Sequence, residues 1–313
     1  MIHNSDVPSY AVVATLDTVP GTSGGEMALR QHIPYARQLL RSGHGVVMFD
    51  AATGSGKSKL LPSEIQLHLR GKLLALNPST LDTKNVCTGA SCKSCYRMGG
   101  RRQGGDRFSE SRVVFATVGL VAKWYASGGS RDFRVYDGVF CDEMHLMESD
   151  PRYALLWELF MDISKTRQFL IVGASSTITS SMKARLDQVD VRWVRCHERP
   201  YPLERYIVTV ATVRLLYEAM AYTAATLLKR GQTLLIFLPG KHEIEQVRDT
   251  LVSLGVNAQW VTPLHADLEE HEMQKAMDIV DHPKAILATS LAETSITLPQ
   301  VDHVLDSGFS RFF

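Results

Sequence analysis

Phe49-Asp50-Ala51-Ala52-Thr53-Gly54-Ser55-Gly56-Lys57-Ser58 is the stretch on which the rest of the chain turns. An apolar run, Gly45–Phe49, leads into it, and a predicted helix, Lys57–Arg70, leads out. Strand, glycine-bearing loop and helix in that order surround an anion with backbone N–H groups and the positive end of a helix dipole. Gly54 and Gly56 let the backbone curl inward, and Ala52, Thr53 and Ser55 complete the loop. Lys57 is placed for the β- and γ-phosphates of a nucleoside triphosphate, and the Ser58 hydroxyl for its Mg2+. The strict pattern has glycine at position 51, where this chain has Ala51.

At 313 residues the chain is long enough for two domains, each with its own core. With 34 basic and 33 acidic residues the formal charge is +1, so a nucleic-acid partner must be held by a local groove. No apolar run approaches the roughly 20 residues of a membrane span. Met1–Tyr10 lacks the basic start of a secretory signal. Five cysteines, an odd number, argue against a disulfide framework and for a reducing, cytoplasmic compartment.

Residues 1–25, with Pro8, Pro20 and Gly21-Thr22-Ser23-Gly24-Gly25, read as a flexible N-terminal segment. The glycine-rich run matches a protease nucleophile turn, but some twenty residues cannot hold a protease fold. Glu26–Arg41 is a predicted helix around Pro34. Strands follow at Lys72–Leu76, Arg112–Ala116, Val135–Phe140 and Arg167–Gly173, with a helix over Tyr153–Met161. From Pro200 a second series begins: Leu203–Ala211 extended, Val213–Lys229 helical, Thr233–Leu238 a strand and Lys241–Leu254 helical. Ala258–Pro263, Glu269–Ile279, Ala285–Ala288 and Val301–Leu305 complete it. Short apolar strands alternating with helices indicate α/β parallel sheets covered on both faces, in two tandem units: 26–198 and 199–313.

Val139-Phe140-Cys141-Asp142-Glu143-Met144-His145 places two acids at the end of an apolar strand, where ligands of a parallel sheet sit. Asp142 is placed to hold Mg2+, and Glu143 to orient and deprotonate the attacking water. His145, two residues on, suits a relay from the γ-phosphate.

Gly54-Ser55-Gly56-Lys57-Ser58 with Asp142-Glu143-Met144-His145 resembles motifs I and II of superfamily 2 helicases of the DExH type. Ser175-Ser176-Thr177 resembles their coupling motif III, and Arg199-Pro200-Tyr201-Pro202-Leu203-Glu204 the entry to their second lobe. Leu234–Glu245 is similar to motif IV, Leu287–Thr297 to motif V, and Asp306-Ser307-Gly308 follows as in the family. The resemblance implies two tandem RecA-like domains of the P-loop NTPase class, with ATP and Mg2+ between two lobes. It gives Glu293 and Thr297 to the nucleotide and leaves Pro299 where an acidic residue is usual. Activity is expected to be RNA-stimulated ATP hydrolysis and unwinding of RNA. Leu76-Asn77-Pro78-Ser79-Thr80 and the residues after Met144 are most similar to helicases of positive-strand RNA virus polyproteins. That similarity implies viral genome replication in the host cytoplasm, with other replication proteins as partners. A cellular DEAH-box fragment and a catalytically weak RNA clamp are the alternatives. The arginine-rich motif VI is expected beyond Gly308, so the second lobe reads as incomplete.

Single-stranded RNA is held in such motors through its backbone, not its sequence. The resemblance assigns contacts to Pro78, Ser79, Thr80, Thr117 and Gly119, and in the second lobe to Gly240 and Thr289. Lys84, Arg97, Arg101, Arg102 and Arg107 form a basic, glycine-rich stretch nearby, either an RNA surface or a solvated loop. It also carries Cys87, Cys92 and Cys95, which make a Zn2+ site only if a fourth ligand such as His68 joins them.

Overall fold

A computed structural model describes residues 10–17, 24–52, 54–78, 83, 86–87, 93–98, 101–102, 110–128, 133–197, 203–290, 298 and 300–309. Two compact units emerge, residues 23–200 and residues 1–22 with 201–313.

In chain order, β1 (Tyr10–Asp17) precedes the first of these units, which opens with α1 (Gly24–Leu40), β2 (Gly45–Ala51), α2 (Lys57–Gln66) and β3 (Lys72–Asn77). Then come β4 (Ser94–Met98), β5 (Arg101–Arg102), β6 (Val113–Thr117), α3 (Val118–Gly128) and β7 (Tyr136–Cys141). A 3-10 turn, Met144–Glu148, leads to α4 (Pro151–Thr166), β8 (Leu170–Ser175), α5 (Ser180–Leu186) and β9 (Val191–Cys196). The eight strands run in the order β5-β4-β6-β3-β7-β8-β2-β9, all neighbours parallel except the β4–β5 hairpin.

The unbroken apolar strands follow from burial on both faces. Val46, Met48, Leu74, Leu76, Val114 and Ala116 face α3 and α4. Their neighbours in sequence, Val47, Phe49, Leu73, Ala75, Val113 and Phe115, face α1 and α2. Pro34 and Pro62 both lie inside helices, so neither breaks the chain there. Part of the basic stretch is sheet: β4 pairs with β6, and Arg97 lies opposite Arg102 in the hairpin.

The second unit adds β10 (Leu203–Val210), α6 (Val213–Lys229), β11 (Leu234–Phe237), α7 (Lys241–Ser253) and a 3-10 turn, Ala258–Trp260. It closes with β12 (Val261–Leu264), α8 (Glu270–Met277), β13 (Ala285–Ala288) and β14 (His303–Asp306). Its sheet runs β10-β1-β14-β11-β13-β12, with β11–β14 mutually parallel and β1 antiparallel to both neighbours.

The expectation of a flexible N-terminal segment over residues 1–25 fails at two places. Residues 10–17 are a central strand of the second unit's sheet, and α1 already begins at Gly24. Tyr10-Ala11-Val12-Val13-Ala14-Thr15-Leu16 has strand-forming residues, but its partners lie nearly two hundred positions away or more, beyond local sequence signals.

Candidate active site

The phosphate loop follows β2 and enters α2. Gly54 (φ 77°) and Gly56 (φ 85°) adopt the left-handed backbone that only glycine takes without strain, and Gly56 caps α2. Ala51 is the last residue of β2 and does not take a positive φ, so alanine serves there. Lys57, the first residue of α2, is only 5% exposed. Its Nζ donates to Ala51 O (2.7 Å) and Ala52 O (2.9 Å). Burial lowers its pKa, while Glu143 and Asp142 pull it back up. The Ser55 hydroxyl is buried inside the loop with no partner among the described residues.

Asp142 lies just past the end of β7, 3% exposed, its N–H donating to Leu76 O (3.1 Å). Burial, then Glu143, raises its carboxyl to about 7, against the opposing Ser58 hydroxyl bond and Lys57. Glu143 sits at φ 50°, ψ 50°, a left-handed position that is strained for a residue with a side chain. Burial raises its pKa too, with Lys57 lowering it. His145 Nδ1 stands 3.1 Å from Ser175 Oγ and 3.3 Å from Glu143 Oε2. Ser175 Oγ donates its single proton to Thr177 O (2.8 Å) and accepts from Thr177 N (3.2 Å). It can therefore only accept from His145, which fixes the proton on Nδ1. Burial, with Lys57, keeps the His145 pKa below its usual value.

The first unit thus brings Lys57, Ser58, Asp142, Glu143, His145 and Ser175 together at the carboxyl ends of β2, β7 and β8. A Mg2+ ion fits this donor set. Ser58 and Asp142 present a hydroxyl and a carboxylate near enough for the hydroxyl to favour the ionised carboxyl. Mg2+ keeps several waters, so two protein oxygens suffice for it. Zn2+ finds no support: among the described residues no three His, Cys, Asp or Glu side chains gather for a metal. Cys87 and Cys95 are buried and in no disulfide, Cys87 Sγ lies 3.4 Å from Ser94 Oγ, and the charged groups around His68 are Arg37, Glu64 and Arg41.

Ser176 is half-buried and Thr177 exposed beyond β8. Pro78 follows β3 directly, Thr117 ends β6 and Gly119 lies in the first turn of α3. In the second unit Gly240 caps α7, and Thr289 follows β13 with its N–H on Leu264 O (3.1 Å). Thr53, Ser79, Thr80, Cys92, Glu293 and Thr297 lie outside the described residues.

Two supports carry no motif. Tyr153 Oη, buried, donates to Asp142 O (2.9 Å). Glu148 accepts from Thr179 Oγ1 and from Met182 N (3.1 Å), joining the turn after His145 to α5. Both act between elements, so no local pattern marks them.

Known proteins share this architecture. Two crystal structures of HrpB from E. coli, described as a DEAH/RHA helicase and as a DExH-box NTPase, superpose with TM-scores of 0.66 and 0.64. Sequence identity is 22% and 24%, over 87% and 90% of this chain and 35% of each of theirs. The chain has the α/β, RecA-like parallel-sheet fold of these helicase structures, in two sheets. Residues 212–311 match the helicase conserved C-terminal domain family. Among curated proteins, the ATP-dependent RNA helicase HrpB of Escherichia coli (strain K12) is 27% identical over 282 residues, 85% of this chain and 34% of HrpB. The ATP-dependent RNA helicase TDRD9 of Homo sapiens is 22% identical over 360 residues, 97% of this chain and 26% of TDRD9. The chain therefore spans from about a quarter to just over a third of the length of these relatives. They are cellular proteins, so the resemblance to viral polyprotein helicases is not supported. It rested on a few residues after β3 and Met144, whereas these relatives align along most of the chain.

Proposed function

We propose that this chain is the nucleotide-hydrolysing core of a cellular DEAH-type RNA helicase. The observation that carries the reading is the convergence of Lys57, Asp142, Glu143 and His145, with His145 bonded to Ser175, at one end of the first unit's sheet. Lys57 leaves its backbone carbonyls for the β- and γ-phosphates of ATP. Ser58 and Asp142 hold Mg2+, which when bound neutralises charge on the phosphate oxygens. Glu143 orients a water against the γ-phosphorus and takes its proton as the bond to the β-phosphate oxygen breaks, releasing ADP and phosphate. His145, protonated on Nδ1, links Glu143 to Ser175 and so to the segment Ser175-Ser176-Thr177. RNA is the second substrate, bound as a single strand without sequence preference through Pro78, Ser79, Thr80, Thr117, Gly119, Gly240 and Thr289.

The test is single-turnover ATP cleavage with and without poly(U), comparing wild type, Lys57→Ala and Glu143→Gln. RNA-stimulated cleavage lost in both variants supports the reading. Poly(U) binding with no cleavage in the wild type reduces the chain to a nucleotide-dependent clamp.

A further inference from the structure

We infer that Arg152 is a fixed contact for an RNA phosphate, held over Gly119; the inference rests on the helicase reading above. Arg152 belongs to no motif of the sequence and stands 33 residues beyond Gly119, in the first turn of α4. Asp150 caps that helix by accepting the Arg152 backbone N–H (2.9 Å). The same carboxylate takes Arg152 Nε (2.9 Å to Oδ1, 3.1 Å to Oδ2) and Nη2 (2.7 Å to Oδ2). One side of the guanidinium fork is thereby pinned. The other side, Nη1, has no acceptor among the described residues and lies against Gly119: a methyl group there would sit 2.9 Å from it.

Stability does not explain this arrangement. The Arg152 side chain is 58% exposed, and an ion pair that wet contributes at most about 1 kcal/mol. Gly119 inside a helix costs about 1 kcal/mol relative to alanine, so the space it leaves for Nη1 is not free. What the geometry does provide is a planar donor pair, oriented in advance and open to solvent, beside the Thr117–Gly119 backbone. Such a fork matches two phosphate oxygens, and its rotamer freedom is already restricted by Asp150, which lowers the ordering cost of binding.

The measurement is poly(U) affinity of the whole chain as a function of salt, for wild type, Arg152→Ala, Arg152→Lys, Gly119→Ala and the Arg152→Ala/Gly119→Ala double variant. Each phosphate contact to a single strand contributes about 0.7 to the slope of log K against log salt. Arg152→Ala is expected to flatten the slope by about 0.7 and weaken binding roughly tenfold. Arg152→Lys keeps the slope but loses part of the affinity, since an ammonium cannot present the fork. Gly119→Ala weakens the wild type more than it weakens Arg152→Ala, because the methyl acts by displacing the guanidinium. If the wild type binds poly(U) and Arg152→Ala leaves the slope unchanged, the inference falls and the helicase reading stands. If the wild type does not bind poly(U), both fall.

Discussion

Asp142 is the residue whose surroundings make least sense without a cation. Its carboxyl is raised from 3.8 to about 7, first by burial and then by Glu143, and a buried ionised carboxylate is a liability until a cation joins it. The sign of the consequence follows from proton linkage. Between pH 3.8 and about 7 the folded state holds a proton that the unfolded state has lost, so stability falls as pH rises through that window. In Mg2+-free, nucleotide-free protein, Asp142→Asn should therefore stabilise the first unit at pH 8, by up to roughly 4 kcal/mol. The gain should shrink towards nothing near pH 4. Thermal unfolding across pH 4–8 checks it, and a gain independent of pH would show that burial is not the cause. The same residue marks what a sequence can say. Lys57, Ser58, Asp142 and Glu143 are legible because each follows a strand within a short pattern. The Nδ1 proton of His145 is not, because it depends on a hydroxyl 30 positions away whose own proton goes to Thr177 O.

At the scale of the element, the turn Met144–Glu148 has to hold Glu143 in its left-handed position, and two neighbours do so. Met144 is buried against Gly173 in the middle of β8, where a methyl would meet Met48 Sδ and lie 2.9 Å from Met144 Cγ. Gly173→Ala should push Met144 outward, costing about 1–3 kcal/mol as overpacking does. On the proposed function it should also slow ATP cleavage without weakening nucleotide binding. Stability from urea unfolding beside single-turnover cleavage reads both effects; a loss of stability with unchanged cleavage would mean that Met144 does not position Glu143. On the other flank, Tyr153→Phe removes the donor to Asp142 O and strands a buried carbonyl, which should cost about 1–3 kcal/mol. The helix α4 is legible in the sequence only as Tyr153–Met161, whereas it runs Pro151–Thr166, with Asp150 as its cap and a proline in the first turn. Its task of pinning the end of β7 is not legible there, because the Tyr153 hydroxyl reaches across to another element.

For the whole molecule, the alternation of strand and helix suffices to announce two parallel-sheet units, since inner strands carry continuous apolar runs such as residues 46–49 and 113–116, Leu234–Phe237 and Ala285–Ala288. It cannot announce β1, whose place depends on pairing across the full length of the chain. That pairing has a mechanical consequence. β10 is attached to its sheet through β1 alone among the described residues, over eight paired positions from Tyr10↔Val210 to Asp17↔Leu203. β14 meets the same strand at four positions, from Val13↔Asp306 to Leu16↔His303. Deleting residues 1–22 therefore removes a central strand, not a tail. β10 loses its backbone partners, and the exposed Tyr206, Ile207 and Val208 become part of an unpaired segment. Each lost ladder bond is worth about 0.5–1.5 kcal/mol, and a domain has only about 5–15 kcal/mol in total, so the second unit should unfold or expose β10 at ordinary temperature. The first unit shares none of these bonds and should keep its stability. Hydrogen exchange read by mass spectrometry separates the two: amides of residues 203–210 should lose protection in the deletion variant while those of β3, β6 and β7 keep theirs. Adding a synthetic peptide of residues 8–19 should restore the protection in proportion to its occupancy. Protection of 203–210 that survives the deletion would mean that β10 is held to its sheet by something other than β1.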